Sequence, residues 1–180
     1  MAANQYERIA QEVHGSRPCS LLVMGGGYDS DLWHHCAGGN VSYVEDDPAY
    51  LALVPCNPMP IKFETQVGVW ADVPAAPRVI ARPWDFVIVD GPTGHSRACP
   101  GRQIPIAWAS QFARKAVFVH DYERPWERAV CDRYLGEPWE IVEPQGGRMG
   151  RLAIFRVQGV NCLFKRCHGI TLLKRKPSDQ

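Results

Sequence analysis

Two short polar groups in this chain could carry acid–base chemistry, because each one follows directly after an apolar run. The sequence DGPTG at 90–94 follows the apolar run 86–89, and HDYER at 120–124 follows AVFV. Such runs are typical of central parallel strands that are buried on both faces. In an open parallel sheet, ligands bind beyond the carboxyl ends of the strands, so we expect both groups at one site. Their aspartates and histidine could act as general bases or, in a different arrangement, hold a divalent cation.

A glycine-rich turn at 25–27 is a second candidate binding feature. It follows an apolar run at 20–24 and precedes a helix-like pattern at 29–36, and the next strand-like run ends in Glu45. A bare turn lets a ligand approach the main chain, and the start of the helix offers unpaired N–H groups. An acid after the second strand suits the hydroxyls of a ribose. Because Ser30 interrupts the G-x-G-x-x-G dinucleotide pattern, the shorter pattern fits S-adenosylmethionine, which has a ribose and no pyrophosphate.

The elements that must position these residues alternate between strand-like and helix-like patterns. Strands are predicted at 20–24, 41–45, 61–69, 84–90, 116–120, 139–143 and 151–157, and helices at 29–36, 48–54, 104–114 and 125–134. This alternation predicts an α/β fold, a single doubly wound Rossmann-like domain with a mostly parallel seven-stranded sheet and an antiparallel last strand. We expect one domain over 1–180, with an amino-terminal helix in 1–18, a core at 20–157 and a basic extension at 158–180.

Composition and charge limit the function classes. The chain of 180 residues suits one domain, and its 46% hydrophobic and 22% charged residues are those of a globular protein. No window approaches the roughly 18 apolar residues of a membrane span, and the first residues lack an apolar signal core, so a cytoplasmic location without a membrane partner is expected. The net charge is +1, yet lysines and arginines outnumber acids after Arg148. That basic end could attract an anionic partner, or it could be a solvated extension.

Three stretches together resemble a known family. They are MGGGYDSDLWHHCAGGNVSYVEDD at 24–47, WDFVIVDGPTG at 84–94 with PGRQ shortly after it, and VFVHDYERPWERAVCDRYLG at 117–136. Over residues 20–157 the chain is similar to the polysaccharide-biosynthesis family whose known members include the plant glucuronoxylan 4-O-methyltransferases. The combination V-D-G-P followed by H-D-Y-x-R is much more specific than the glycine turn alone.

The resemblance implies a class I methyltransferase that uses S-adenosylmethionine. In the known members the methyl group goes to the 4-hydroxyl of a glucuronic acid side chain. The resemblance places Gly25, Gly27, Asp29 and Ser30 around the methionine part of the cofactor and Glu45 on its ribose. From their positions in the sequence, Gly26, Asp46 and Asp90 are further candidate cofactor contacts. The acceptor and the chemistry are implied beside Asp90, His120, Asp121, Tyr122 and Arg124.

Two mechanisms fit these residues. In the first, which we prefer, His120 or Asp90 is a general base toward the acceptor hydroxyl. In the second, Asp90 and Asp121 hold Mg²⁺ or Mn²⁺, and the cation carries the acceptor oxygen. An arginine could pair with a substrate carboxylate and an aromatic ring could stack on the acceptor. The candidates for these two roles are Arg102, Arg124, Tyr122 and Trp126.

Other functions stay open at this point. The acceptor could be a sugar or uronic acid hydroxyl, a related small molecule, or a non-sugar hydroxyl or amine. A nicotinamide-dependent reductase is disfavoured by the missing third glycine and by the lack of a Tyr-x-x-x-Lys pair. A non-catalytic binder of an anionic glycan or RNA would use the basic end, although nucleic acid is the less favoured partner. A homodimer could supply a second wall for an extended acceptor groove.

Overall fold

The structure is a computed structural model that describes residues 1–146 and 150–157. The helices are α1 (Ala3–Gly15), α2 (Ser30–Ala37), α3 (Pro48–Leu51), α4 (Gln103–Phe112) and α5 (Pro125–Tyr134). The strands are β1 (Leu21–Met24), β2 (Val41–Glu45), β3 (Pro58–Pro60), β4 (Trp84–Val89), β5 (Ala113–Val119), β6 (Glu140–Val142) and β7 (Leu152–Arg156). The basic extension predicted at 158–180 lies outside the described residues.

These strands form one sheet in the order β3-β2-β1-β4-β5-β7-β6. β1 is parallel to β2 and β4, and β4 is parallel to β5, whereas β7 is antiparallel to both of its neighbours. β7 is therefore the strand that runs against the others. The predicted fold class, a doubly wound α/β sheet with an antiparallel last strand, is confirmed.

Apolar layers cover both faces of the sheet. All four residues of β1 are buried, as are residues 86–89 of β4, which is expected for strands covered on two sides. On one face, Ile9 of α1 and Trp33 of α2 pack against the strands. On the other face, Ile106 of α4 and Val130 of α5 do the same. Burial of each such side chain stabilises the fold by about 1.5–3 kcal/mol. The two layers therefore hold the strand ends in register.

The third strand differs from the prediction. We predict a strand at 61–69, whereas β3 ends before it, and 61–69 contains a single isolated strand-like pairing. β3 is an edge strand, and its two prolines are tolerated there because an edge strand does not need every N–H group for the ladder. After it, Ile61 N–H donates to Glu45 O at 3.1 Å, and the chain then leaves the sheet. The apolar residues that suggest a strand instead bring Phe63 into the core from a loop, with 8% of its surface exposed.

Two helix boundaries also differ. The helix predicted at 48–54 ends at Leu51. The helix predicted at 104–114 ends at Phe112, because Ala113 already has extended backbone angles and begins β5 without an intervening loop. Within residues 1–146 and 150–157, no helix has the length and apolar character needed to cross a membrane.

Candidate active site

The carboxyl ends of β1, β4 and β5 meet at one edge of the sheet. Met24 is paired with Val89, and Val89 with Val119, so the residues that follow them are neighbours. The main-chain N–H of Asp90 donates to Met24 O at 2.8 Å, and that of His120 donates to Val89 O at 3.1 Å. The glycine turn and the two polar groups therefore converge, as the sequence predicts.

Asp90 and His120 form a hydrogen-bonded pair at this edge. His120 Nδ1 lies 2.9 Å from Asp90 Oδ1. The other ring nitrogen, Nε2, is buried without a hydrogen-bond partner among the described residues, and a Cβ atom on Gly150 would lie 2.5 Å from it. The side chain of Asp90 is 23% exposed and that of His120 is 9% exposed. An incoming molecule can therefore reach Asp90 more readily than the imidazole.

The buried side chain of Arg102 connects the two polar groups at 90–94 and 120–124. Its side chain is 3% exposed, and its Nη2 lies 2.7 Å from Asp121 Oδ2 and 2.7 Å from the main-chain oxygen of Asp90. Its Nη1 donates to the main-chain oxygen of His120, and its Nε donates to that of Pro92 at 3.3 Å. All three guanidinium nitrogens are engaged within the protein. Arg102, predicted as a substrate-binding residue, is thus brought to the site as an internal support.

Asp121 reaches these partners through an unusual backbone conformation. Its φ is 60°, in the left-handed region that few residues other than glycine adopt. Such a conformation costs on the order of 1–3 kcal/mol and persists where surrounding contacts fix it. Here Asp121 Oδ2 pairs with Arg102 and also lies 2.9 Å from Arg124 Nη1. The two ion pairs account for the retained conformation.

The charge of Asp90 follows from its neighbours. Burial disfavours the ionised form, but the hydrogen bond from His120 and the guanidinium of Arg102 outweigh burial and hold the pKa of Asp90 below its ordinary value. Asp90 is therefore an ionised carboxylate at neutral pH. It can accept a hydrogen bond from an approaching hydroxyl.

The same edge of the sheet offers possible ligands for a divalent cation. In the described part of the chain, Asp90, His120 and Asp121 are the group whose possible ligand atoms all lie within 4.8 Å of one another. However, Arg102 contacts Asp90 Oδ1 at 3.4 Å as well as Asp121, and Arg124 pairs with Asp121. Two guanidinium groups thus already balance the two carboxylates. This charge balance favours the base mechanism over the cation mechanism.

A cleft of about 910 Å³ opens beside the cluster, within the size range of small-molecule sites. It is lined by residues 67–68, 94–97 and 123–126 together with Asp121. Trp126, predicted to contact substrate, forms part of this wall, and its ring centroid lies 4.8 Å from that of Trp70. The cleft therefore combines aromatic surface with charged groups.

Tyr122 is not brought to the cleft. Its side chain is 6% exposed, and its ring meets that of Phe155 edge to face with centroids 6.0 Å apart. Tyr122 follows Asp121, whose left-handed backbone turns the chain inward. Arg124, two residues further on, does line the cleft.

The glycine turn packs directly on the loop that follows β4. Gly25 has a φ of 103°, and a Cβ atom there would lie 2.7 Å from the carbonyl carbon of Asp90. A Cβ atom on Gly26 would lie 2.7 Å from a methyl group of Val54. Ser30 is fully buried, and its hydroxyl accepts a hydrogen bond from Gly27 N–H at 2.9 Å. Gly25 and Ser30 therefore shape the turn itself.

Two acids flank this turn, and neither is paired with an arginine or lysine side chain in the described residues. Burial, with the like charge of Asp90, raises the pKa of Asp29. Burial also raises the pKa of Glu45 to about 7. Glu45 Oε1 accepts hydrogen bonds from the main-chain N–H groups of Asp46 at 2.9 Å and Asp47 at 2.8 Å. This edge of the sheet therefore suits a cationic ligand with hydroxyl groups.

Sequence reasoning missed several residues around the cleft. His95 and Arg97 are exposed at its wall, and their position just after DGPTG is the signal that could have indicated them. Glu127 is fully buried, and neither carboxylate oxygen has a hydrogen-bond partner among the described residues. Burial raises the pKa of Glu127. Gly94 lies against it, because a Cβ atom there would collide with Glu127 Oε1.

The fold is the Rossmann-like fold of class I methyltransferases. A 16S rRNA methyltransferase from T. thermophilus, solved with AdoMet and guanosine, matches with a TM-score of 0.57 at 14% sequence identity. The match covers 86% of this chain and 42% of that protein. At this identity the likeness concerns the fold alone.

The resemblance read from the three sequence stretches is confirmed by relatives. The IRX15/IRX15L/GXM family model matches residues 69–152. Glucuronoxylan 4-O-methyltransferase 3 of Arabidopsis thaliana is 28% identical, over 76% of this chain and 58% of the relative. Arabinogalactan O-methyltransferase 2 of the same plant is 24% identical, over 78% of this chain and 61% of the relative. The chain thus spans about six tenths of the length of these relatives.

Proposed function

We propose that this chain is an S-adenosylmethionine-dependent O-methyltransferase acting on a hydroxyl of a sugar, a uronic acid or a related small molecule. The observation that carries the proposal is the Asp90–His120 pair, which lies between the glycine turn and the cleft. The relatives named above are, by their names, methyltransferases of glucuronoxylan and arabinogalactan, which supports a saccharide acceptor.

The residues around the glycine turn fit S-adenosylmethionine better than a dinucleotide. The cofactor has a positively charged sulfonium, an α-amino group and a ribose, whereas a pyrophosphate would be repelled by acids at this edge. Asp29 and Asp90 would face the positive groups, and Glu45 with Asp46 would hold the ribose. Gly25, Gly26 and Gly27 let the turn pack closely on its neighbours, and Ser30 holds the turn. When bound, this cofactor supplies an electrophilic methyl group.

The contribution of the chain is to orient the acceptor hydroxyl and to take its proton. Asp90 is the member of the pair that the acceptor can reach, because its side chain is the more exposed. Its Oδ1 is hydrogen-bonded to His120 Nδ1. His120 then acts by holding Asp90 and by sharing the proton. A positioned base of this kind contributes typically about 10²–10⁴-fold in rate.

The cleft offers distinct groups for the two faces of a uronic acid. The rings of Trp126 and Trp70, tilted at 53° to each other with centroids 4.8 Å apart, provide aromatic surface for the apolar face of a sugar. Arg97 is exposed at the wall and forms no ion pair within residues 1–146 and 150–157, and Arg124 is 28% exposed. We therefore assign the sugar carboxylate to Arg97 and Arg124 rather than to Arg102, whose donors are engaged.

A second mechanism and other acceptors follow from specific features. The grouping of Asp90, His120 and Asp121 would give a divalent cation three ligands, and added Mg²⁺ or Mn²⁺ with a chelator control tests it. A non-sugar hydroxyl or amine would use the same aromatic wall. The cytoplasmic location, a homodimer and the preference against nucleic acid stay predictions from the sequence.

Methyl transfer to a defined acceptor panel tests the proposal. The purified protein is incubated with S-adenosylmethionine and uronic acid oligosaccharides, neutral oligosaccharides, phenols or amines, and products are detected by mass spectrometry. We expect transfer to a uronic acid acceptor, and a fall in kcat of about 100-fold or more in Asp90→Asn. Asp85→Asn, at the opposite end of β4, is the matched control and should keep its rate. No transfer to any acceptor, together with no binding of S-adenosylhomocysteine, would refute the proposal.

A further inference from the structure

We infer that Tyr28 and Tyr50 form an aromatic contact for the adenosine half of the cofactor. This assignment rests on the proposed function and deepens it, because it names binding residues outside the glycine turn and the ribose acid. Neither tyrosine is among the cofactor contacts that the family resemblance implies.

The two tyrosines lie beside the glycine turn, and both side chains are exposed to solvent. Tyr28 follows Gly27 directly and is 87% exposed, the largest fraction among the large apolar side chains in residues 1–146 and 150–157. Tyr50 is 44% exposed. Their rings meet edge to face, with centroids 6.0 Å apart and planes at 86°. An exposed aromatic pair of this kind gains free energy when a ligand covers it.

The position of Tyr50 is fixed relative to the ribose acid. Glu45 Oε1 accepts two main-chain hydrogen bonds from the loop that leads into α3, and Asp47 Oδ1 caps α3 by accepting from Ala49 N–H at 2.8 Å. Tyr50 comes one residue later in the same short helix. Its Cδ1 would be 3.2 Å from a Cβ atom on Gly27. One ordered segment therefore carries Glu45 and Tyr50 and holds the ring against the turn.

Adenosine is the occupant that this geometry favours. A ribose on Glu45 and a methionine part on the glycine turn leave the adenine base close to the segment 45–50. Flat heteroaromatic bases stack on tyrosine rings, and loss of one such ring typically weakens binding by about 5- to 150-fold. A second copy of the chain is the other possible cover for an exposed apolar patch. Ligand affinity and ligand-dependent protection of Tyr28 distinguish these two occupants.

The test measures ligand affinity by calorimetry in the full chain. S-adenosylhomocysteine and adenosine are titrated into the unchanged protein, Tyr28→Ala, Tyr50→Ala and Tyr50→Phe. We expect both alanine variants to bind both ligands about 5- to 150-fold more weakly, while Tyr50→Phe keeps its ring and its affinity within about twofold. Trp139→Ala is the control, because Trp139 is 57% exposed next to β6 at the opposite end of the sheet.

A second readout does not depend on the stability of any variant. Nitration of Tyr28 in the unchanged protein, followed by peptide mass spectrometry, should slow when adenosine or S-adenosylhomocysteine is added. Unchanged affinity in both alanine variants would overturn the inference. Protection of Tyr28 that depends on protein concentration and not on ligand would also overturn it and would indicate self-association. If the unchanged protein binds neither ligand, the proposed function fails as well. Binding by the unchanged protein that neither tyrosine affects overturns this inference alone.

Discussion

Glu45 should make cofactor affinity depend on pH near neutrality. Burial raises the pKa of Glu45 to about 7 in the unliganded protein, from an ordinary value of 4.5. A carboxylate accepts hydrogen bonds from both ribose hydroxyls, so the ligand prefers the ionised form and lowers this pKa when it binds. Affinity must therefore rise with pH. If the bound-state pKa returns to the ordinary value, the dissociation constant falls about tenfold between pH 6 and pH 8.

Calorimetric titration of S-adenosylhomocysteine at several pH values measures this effect. Glu45→Gln keeps an oxygen for the N–H groups of Asp46 and Asp47 and removes the titration, so its affinity should be weaker and lose the tenfold term. Glu64→Gln removes an exposed acid and serves as the control. A wild-type affinity that is flat from pH 6 to 8, or a pH dependence retained in Glu45→Gln, would refute the assignment of Glu45 to the ribose.

The same pKa has the opposite effect on the stability of the unliganded protein. A carboxyl group whose folded-state pKa is raised stabilises the fold fully below its unfolded pKa, and this contribution is lost as pH rises through the folded value. For Glu45 that window lies between the ordinary carboxyl range and about pH 7. We expect a loss of about 2 kcal/mol in the free energy of unfolding between pH 5 and pH 8 that is absent from Glu45→Gln. Urea unfolding at the two pH values measures the difference.

Three further substitutions test the packing and the cleft. Gly25→Ala should lower the free energy of unfolding by at least about 3 kcal/mol, because a Cβ atom there collides with the backbone and the φ is positive. Gly136→Ala is the control, since Gly136 has a φ of 81° and open space around it, and it should lose only about 1–2 kcal/mol. Urea unfolding measures both losses. Arg102→Gln should lower the free energy of unfolding by about 3–5 kcal/mol, because it removes a buried guanidinium that pairs with Asp121 and Asp90, against under about 1 for the more exposed Arg124→Gln. Equal losses would contradict the buried role of Arg102. Arg97→Gln should raise the KM for a uronic acid acceptor about tenfold in steady-state kinetics and leave a neutral acceptor unchanged, and equal effects on both would remove Arg97 from carboxylate recognition.

The sheet could be predicted from the sequence where apolar runs are long and uninterrupted. The runs before Gly25, Asp90 and His120 are buried on both faces, so their strands and their common edge follow from pattern alone. The strand predicted at 61–69 fails because an alternating pattern does not distinguish an edge strand from a loop that lays single side chains on the core. β3 itself is hidden by its prolines, which only an edge position tolerates.

The site could be predicted as a set of strand ends but not as a set of partners. Sequence places Asp90, His120 and Asp121 together, yet it does not indicate that Arg102 spends its donors on main-chain oxygens of the same loops. It also cannot anticipate that Tyr122 turns inward, because this follows from the left-handed backbone of Asp121. Roles that depend on which atoms are already engaged require three-dimensional contacts.

The acids on the two sides of the sheet edge differ in their charge partners, and this difference predicts where a cationic ligand enters the site. On the side of β5, Arg102 and Arg124 pair with Asp121, so that two guanidinium groups already face this acid without a ligand. On the side of β1 and β2, Asp29 and Glu45 lack arginine and lysine partners in the part of the chain that the structure describes, and burial raises the pKa of both. A cationic cofactor would relieve this imbalance at the turn, whereas a cation at Asp121 would compete with two guanidinium groups. Positive charge is therefore expected to enter at the glycine turn, with Asp90 between it and an acceptor in the cleft.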